Sequence, residues 1–413
     1  MKKIFIFTGI ILLGLFIIMQ PKKMETNNKN YNVYIKEGNS YVKQSSGDFP
    51  TIGYSLNTTE STCTGGGTLK ETGPGKISLS MSNTEKCNLY FDKNAVGTIM
   101  DIVGDANSSS TAVITKTAPS GGGCTNTFAY DGTTDKNLRY VGSNPCNYVT
   151  YNGETGGWRI IGVMANVDDG NGNLQYRLKL MRLSGFEQYS WDASAANGYD
   201  GMNNWPGSDL QKELNGDYLD TTLAANTNWK VEGGTLPYDY TQGLGADAQK
   251  LISNAKWFLG GHNTNLATAS ALYTAERGTT VWGSSSGQTC NDGYCPRATE
   301  WVGKVGLIYP SDYGFAVGGS VRSTCLSTNL SSYNNNNCYT NNWIKNIYTW
   351  GYQNTLTPSS NEPSVVFKLS NSGTMDQGLV LYSDVETHPV VYLNANVAIT
   401  GGNGSSSSPY TLG

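Results

Sequence analysis

The sequence predicts a β-rich α+β protein with an N-terminal membrane helix, a small β module and a larger antiparallel-sheet domain carrying short helices. Three observations predict it. An uncharged apolar run from Ile4 to Met19 sits behind Lys2 and Lys3. Along the rest of the chain, short apolar runs recur between Gly, Asn and Asp clusters, which is strand-and-turn patterning. Eight cysteines fall in four sequential couples, the arithmetic of a disulfide framework. At 413 residues the chain is too long for one ordinary core.

Residues 1–23 read as a signal anchor. As a helix the run would span about 24 Å, slightly short of the hydrocarbon core. No small-residue cleavage pattern follows it, so an uncleaved anchor is favoured over a cleaved signal peptide. Lys22 and Lys23 partly offset Lys2 and Lys3, and orientation rests on the cysteines instead. Nearest-neighbour pairing is the simplest scheme: Cys63–Cys87, Cys124–Cys146, Cys290–Cys295 and Cys325–Cys338. A zinc site would need tighter couples or nearby His. Disulfides persist outside the reducing cytosol. The expected placement is therefore a single-pass cell-membrane protein, inserted through residues 4–20, with the bulk of the chain extracellular.

The first β unit is expected over 31–93. Within it, Lys76–Ser82 alternates strictly, placing Ile77, Leu79 and Met81 on one face, and a Cys63–Cys87 bridge would close a unit too small to rely on its core. Residues 94–123 are rich in Ser, Thr and Gly and read as a flexible linker, although Ile99–Val103 is an apolar run within it. The large domain then covers 124–413. Its first strands are Trp158–Met164 and Gln175–Met181, joined across Asp168-Asp-Gly-Asn-Gly-Asn173. That loop is hairpin chemistry; a calcium loop would need a later bidentate carboxylate. Short helices are expected after the Ser208 cap, over Asp247–Lys256, over Thr268–Arg277 and from Pro310. Strands return at Ser364–Leu369 and Val390–Leu393, and a last hairpin joins Val397–Thr400 to Pro409–Leu412.

Chemistry is thinly signalled. Charged residues make up 15% and the formal net charge is −4, which gives no footprint for nucleic acid. His262 and His388 are the only imidazoles available to a Ser–His or Cys–His pair. Asp192, Asp209, Glu276 and Glu300 are the acids that could form a glycosidase pair, a matter of separation that sequence does not give. Gly73-Pro-Gly-Lys76 precedes Ile77 rather than Ser or Thr, so it is no phosphate loop. No catalytic, cofactor or metal residues are assigned. The suggestive signal is aromatic: Trp301, Tyr313, Trp343 and Trp350 lie in polar, glycine-rich sequence, and flat rings with polar rims suit sugars or protein partners.

Several blocks resemble a known family. They are Tyr140–Glu154 followed by Trp158–Gly162, then Ser208–Asn215, Val305–Gly314, Pro389–Leu393, and the closing Ile399–Gly404 with Pro409–Leu412. Their ordered set, over about 128–412, resembles domain-of-unknown-function family 6273 of exported surface proteins from Gram-positive gut bacteria. Residues 54–93 resemble a small cysteine-paired module that often precedes that domain. The resemblance implies export and a distant likeness to C-type-lectin-like and sulfatase-modifying-factor folds. His388 stands where the family commonly has Arg, which implies a structural position. The expected role is a surface binding or adhesion module for glycans or proteins. The alternatives are a structural envelope component without its own ligand and, third, an extracellular hydrolase.

Overall fold

The computed structural model describes residues 30–413 except 51, 74–75, 81–83, 186–188, 194, 197–198, 220–228, 232–233, 237–242, 290–292, 336, 348–350 and 384. The expected membrane helix therefore lies outside the described residues. Among those described, no helix is long and apolar enough to cross a membrane.

The small module comprises β1 (Tyr31–Glu37), β2 (Ser40–Lys43), β3 (Tyr54–Leu56), β4 (Thr62–Cys63), β5 (Thr68–Gly73), β6 (Lys76–Ser80) and β7 (Cys87–Lys93). Five strands form one sheet in which β7 is central: it runs parallel to β1 and antiparallel to β3 and β4. Period-two alternation along β7 buries Cys87, Leu89 and Phe91 against Val33 and Leu56. The Cys63–Cys87 bridge joins two paired strands inside this sheet. β5 and β6 make a separate hairpin whose Leu79 packs on the same core, as expected of an inward residue; the side chains of Ile77 and Met81 lie outside the description.

The expected linker is corrected. Residues 95–103 form α1 (Ala95–Val103), capped by Asn94, whose Oδ1 accepts from the Gly97 amide. Its Val96, Ile99 and Val103 are fully part of the large core. β8 (Ile114–Lys116) then pairs on β9 (Asn126–Tyr130), and Arg322 Nε donates to the Thr111 carbonyl at 2.8 Å. Local composition favoured a linker, but the apolar stripe of one short helix found a core to cover.

The large domain continues through β10 (Leu138–Tyr140), β11 (Tyr148–Tyr151), β12 (Glu154–Asp168) and β13 (Leu174–Arg182). β12 and β13 form the long hairpin expected across the Asp-Gly-Asn-Gly loop, paired from Trp158↔Arg182 to Asp168↔Leu174 with register shifts between Ile160 and Gly162 and between Met164 and Val167. Two small ribbons follow, β14 (Ala195–Ala196) with β15 (Tyr199–Asp200), and β16 (Trp229–Val231) with β17 (Gly234–Leu236). Between them lies α2 (Asp209–Asn215), capped by Ser208 Oγ on the Gln211 amide, with Leu210 and Leu214 buried as expected. α3 (Ala246–Lys250) is shorter than the sequence suggested, because 255–258 alternates buried and half-buried and becomes β18 (Ala255–Phe258). α4 (Ala269–Glu276) carries its Thr268 cap.

β18 pairs with β19 (Glu300–Gly303), and β20 (Val305–Gly306) leads into α5 (Pro310–Phe315), α6 (Arg322–Leu326) and α7 (Trp343–Ile347). The C-terminal strands are β21 (Tyr352–Pro358), β22 (Val365–Ser370), β23 (Met375–Leu379), β24 (Val385–Glu386), β25 (Val390–Tyr392), β26 (Ile399–Gly401) and β27 (Tyr410–Leu412). The principal sheet runs β20-β25-β13-β12-β10-β9-β8, with β11, β27 and β26 attached beside β12. A second sheet, β23-β22-β21-β24, closes the core. β12 is buried on both faces from Trp158 to Ala165, as the uncharged run from Ile160 to Ala165 requires. Cys124–Cys146 and Cys325–Cys338 are bridged as expected. Cys295 is also disulfide-bonded, while its expected partner Cys290 lies outside the described residues.

Candidate functional site

Among the described residues, Tyr313 and Trp343 of the expected aromatic platform are buried rather than displayed. Tyr313 is 0% exposed and donates its hydroxyl to the Gly373 carbonyl at 2.7 Å. Trp343 is also 0% exposed; its indole N–H donates to the Tyr140 carbonyl at 3.0 Å, and the Arg159 guanidinium sits 4.7 Å over its ring. Both rings were drawn inward because each polar tip finds a backbone partner in the core. Trp301 is half-buried, edge-on to Trp205 at 6.1 Å, and Trp350 lies outside the described residues.

The histidines behave as structural groups. His262 Nδ1 lies 2.8 Å from the Thr264 carbonyl within its loop. His388 is fully buried, with Nδ1 3.0 Å from the Arg182 carbonyl. The four acids are spread over three places. Asp192 and Asp209 cap one another's segment: Asp192 Oδ1 accepts from the Asp209 amide at 3.1 Å, and Asp209 Oδ2 accepts from the Ala193 amide at 3.0 Å. Burial and the neighbouring Asp209 push Asp192 up to about 6. Glu300 pairs with Lys256 at 3.1 Å near the surface. Glu276 is enclosed, accepting from the Ser311 amide at 3.1 Å and from its hydroxyl.

Burial pushes Glu276 up to about 7, against the pull of Arg277. Its folded pKa is thus above the unfolded value, so the stability it confers is present at low pH and lost as pH rises through about 7. Glu276→Gln should flatten the melting temperature between pH 5 and 8, removing a loss of roughly 3 kcal/mol at ~1.4 kcal/mol per unit. Thermal unfolding across that range is the measurement; an unchanged slope in the variant would contradict the assignment.

Among the described residues, two places gather chemistry. The larger is a cleft of about 540 Å³ where the small module meets the large domain. The Asn94 amide donates to the Gly53 carbonyl at 2.9 Å, its Nδ2 donates to the Ala395 carbonyl at 2.8 Å, and Ser55 Oγ donates to the same carbonyl at 3.2 Å. These bonds fix the two walls relative to each other. The lining is dominated by amides: Asn94, Asn171, Gln175, Asn254, Asn394 and Asn396. Tyr54 from the module and Tyr176 from β13 contribute half-buried rings. The wall's charges are already engaged. Arg177 Nε donates to Gln175 Oε1 at 2.8 Å and its Nη1 to the Asn254 carbonyl at 2.7 Å. Asp169 accepts from Asn173 Nδ2 at 2.9 Å, and such bonds outweigh burial to hold its carboxyl below the usual range.

Sequence reasoning missed this cleft because its residues come from five separate stretches. The only signal was the Asn-rich hairpin loop at 168–173, read there as turn chemistry. That reading is right: Asp168 Oδ1 accepts from the amides of Gly170 and Gly172 at 2.8 and 2.9 Å.

The second place is a buried charged centre under the principal sheet. Arg139, Gly162, Lys179 and Tyr392 stand directly opposite one another on β10, β12, β13 and β25, so they share one face. Gly162 lacks a side chain, and a Cβ there would lie 2.2 Å from the Leu138 carbonyl oxygen. The two cations therefore converge across it on Asp312 of α5. Arg139 Nη1 lies 2.5 Å from Asp312 Oδ1, and Lys179 Nζ 2.5 Å from Oδ2. Arg139 also pairs with Asp131 at 3.2 Å. Burial would raise Asp312, but Lys179 and Arg139 outweigh it and hold the carboxyl at about 2. Burial pulls the Lys179 ammonium down to about 8 against the attraction of Asp312.

Among the described residues, no group of His, Cys, Asp and Glu is placed to hold a metal ion. No family model, curated protein or solved structure matches the chain.

Proposed function

We propose that this chain is an exported surface protein that binds an uncharged, polyhydroxylated ligand, a glycan, in the cleft between the small module and the large domain. The observation that carries the reading is the lining: a 540 Å³ cleft walled by six amide side chains and two tyrosine rings, with its Arg and Asp internally paired. Asn94 is engaged within the seam by Gly97 and Ala395, but an amide side chain carries both donors and acceptors, which matches the double character of a sugar hydroxyl. Tyrosine faces suit the apolar side of a sugar ring. Ligand sites also favour junctions between domains. Surface display is supported by the basic-apolar N-terminus and the disulfides. The ordered sequence blocks that resemble family 6273 support the same placement and enter as part of the proposal.

A glycan screen on the full chain, followed by titration of a hit, tests this. Tyr176→Ala and Asn396→Ala should each weaken binding by tenfold or more, about 1.4 kcal/mol, with an unchanged far-ultraviolet spectrum. Binding that survives the Tyr54→Ala, Tyr176→Ala double variant would place the ligand elsewhere. A screen in which no glycan binds would favour the role of an envelope component without its own ligand.

A further inference from the structure

The charged centre is more than a salt bridge buried by chance. We propose that Lys179 and Asp312 condense into an intramolecular amide, a covalent cross-link between β13 and α5.

Four features of the geometry support the reaction. The reacting groups are in contact, Nζ to Oδ2 at 2.5 Å, and are 1% and 2% exposed. Lys179 Nζ is enclosed by aromatic faces, 4.4 Å from the Tyr309 ring centroid, 5.4 Å from Tyr392 and 5.5 Å from Trp257. Rings offer an ammonium far less solvation than water does, and the downward pull on its pKa makes a neutral, nucleophilic amine accessible near neutral pH. The Asp312 carboxyl is gripped from both sides: Arg139 Nη1 on Oδ1 at 2.5 Å and the Tyr309 amide on Oδ2 at 3.0 Å. Donors fixed in this way stabilise the negative oxygen that forms when an amine adds to a carboxyl carbon.

The fourth feature is charge. Before reaction the centre holds two cations, Arg139 and Lys179, and two anions, Asp131 and Asp312. Condensation removes one of each and leaves Arg139 on Asp131 at 3.2 Å, still balanced and both essentially unexposed. Burying an ion pair carries a desolvation penalty of several kcal/mol per ion; the amide abolishes it for one pair. That asymmetry gives the reaction a direction it lacks in water.

The atoms balance without a further reactant. The Lys179 nitrogen bonds to Asp312 Cγ, the Cγ–Oδ2 bond breaks, and two protons of the ammonium leave with Oδ2 as water. The cavity of about 180 Å³ lined by Lys179, Asp312, Lys256 and Arg277 gives that water a route outward.

The test is peptide mapping of the purified full chain after reduction and denaturation. A branched peptide joining the Lys179 and Asp312 segments, lighter than their sum by one water, is expected, and trypsin should fail to cut after Lys179. Lys179→Met and Asp312→Ala should each abolish the branched peptide. If a variant fails to fold, the wild-type map still decides. Recovery of two separate, full-mass peptides with normal cleavage after Lys179 overturns the proposal and leaves the pair ionic.

Discussion

Replacing Trp343 by Ala is expected to lower the stability of the large domain by about 3–5 kcal/mol, the usual cost of truncating a buried Trp. The side chain is 0% exposed, donates to the Tyr140 carbonyl, and supports the Arg159 guanidinium stacked over it. Truncation leaves that carbonyl without its donor and Arg159 without one face of its packing, so the loss exceeds simple transfer of area. Urea denaturation measures it as a shifted midpoint with little change in slope. Ligand binding by the fraction that remains folded should be unaffected, because Trp343 does not line the cleft. A variant of near-native stability that had lost binding would instead return the site to the aromatic segment first suggested by sequence.

The second large effect is expected at Gly97. On an isolated helix, Gly97→Ala would be favourable by about 1 kcal/mol. In the molecule, an added Cβ would lie 2.2 Å from the Gly53 carbonyl oxygen, a backbone atom that no rotamer change can move aside. Gly53 itself has φ of +82°, a backbone conformation that favours glycine, and its carbonyl accepts from the Asn94 amide. The clash should therefore cost about 1–3 kcal/mol and act on the seam between module and domain. We expect glycan affinity to fall at least tenfold while the Cys63–Cys87 bridge and the far-ultraviolet spectrum stay unchanged. Native affinity in Gly97→Ala would show that the cleft does not depend on this contact, and would count against a site built from both walls.

Much of the local architecture was legible. The Ser208 cap, the helix beginning at Thr268, the 168–173 hairpin turn, the buried Leu210 and Leu214, and three of the four cysteine couples follow from spacing along the chain. The cap and the turn depend on residues a few positions apart, where a hydroxyl meets a free amide or a turn demands Gly, and the cysteine couples are neighbours along the chain, 13 to 24 residues apart. The corrected readings share a different character. Residues 94–123 look like a linker until α1 meets the core with Val96, Ile99 and Val103. Tyr313 and Trp343 look like a platform until their polar tips find carbonyls in distant segments.

By itself, the sequence determined that this is a β-rich, disulfide-paired chain, since alternation and cysteine spacing are local facts. Only the tertiary structure decided where its chemistry gathers. Arg139, Lys179 and Asp312 are unremarkable charges along the chain, and nothing near any of them announces the others. They meet because three neighbouring strands fall into a register that places Gly162 between the two cations, and because α5 delivers one carboxylate beneath them. The cleft arises in the same way, from a module and a domain whose backbones approach where Gly53 and Gly97 leave room. Register and close approach are properties of paired surfaces, so they are settled only when the surfaces pack.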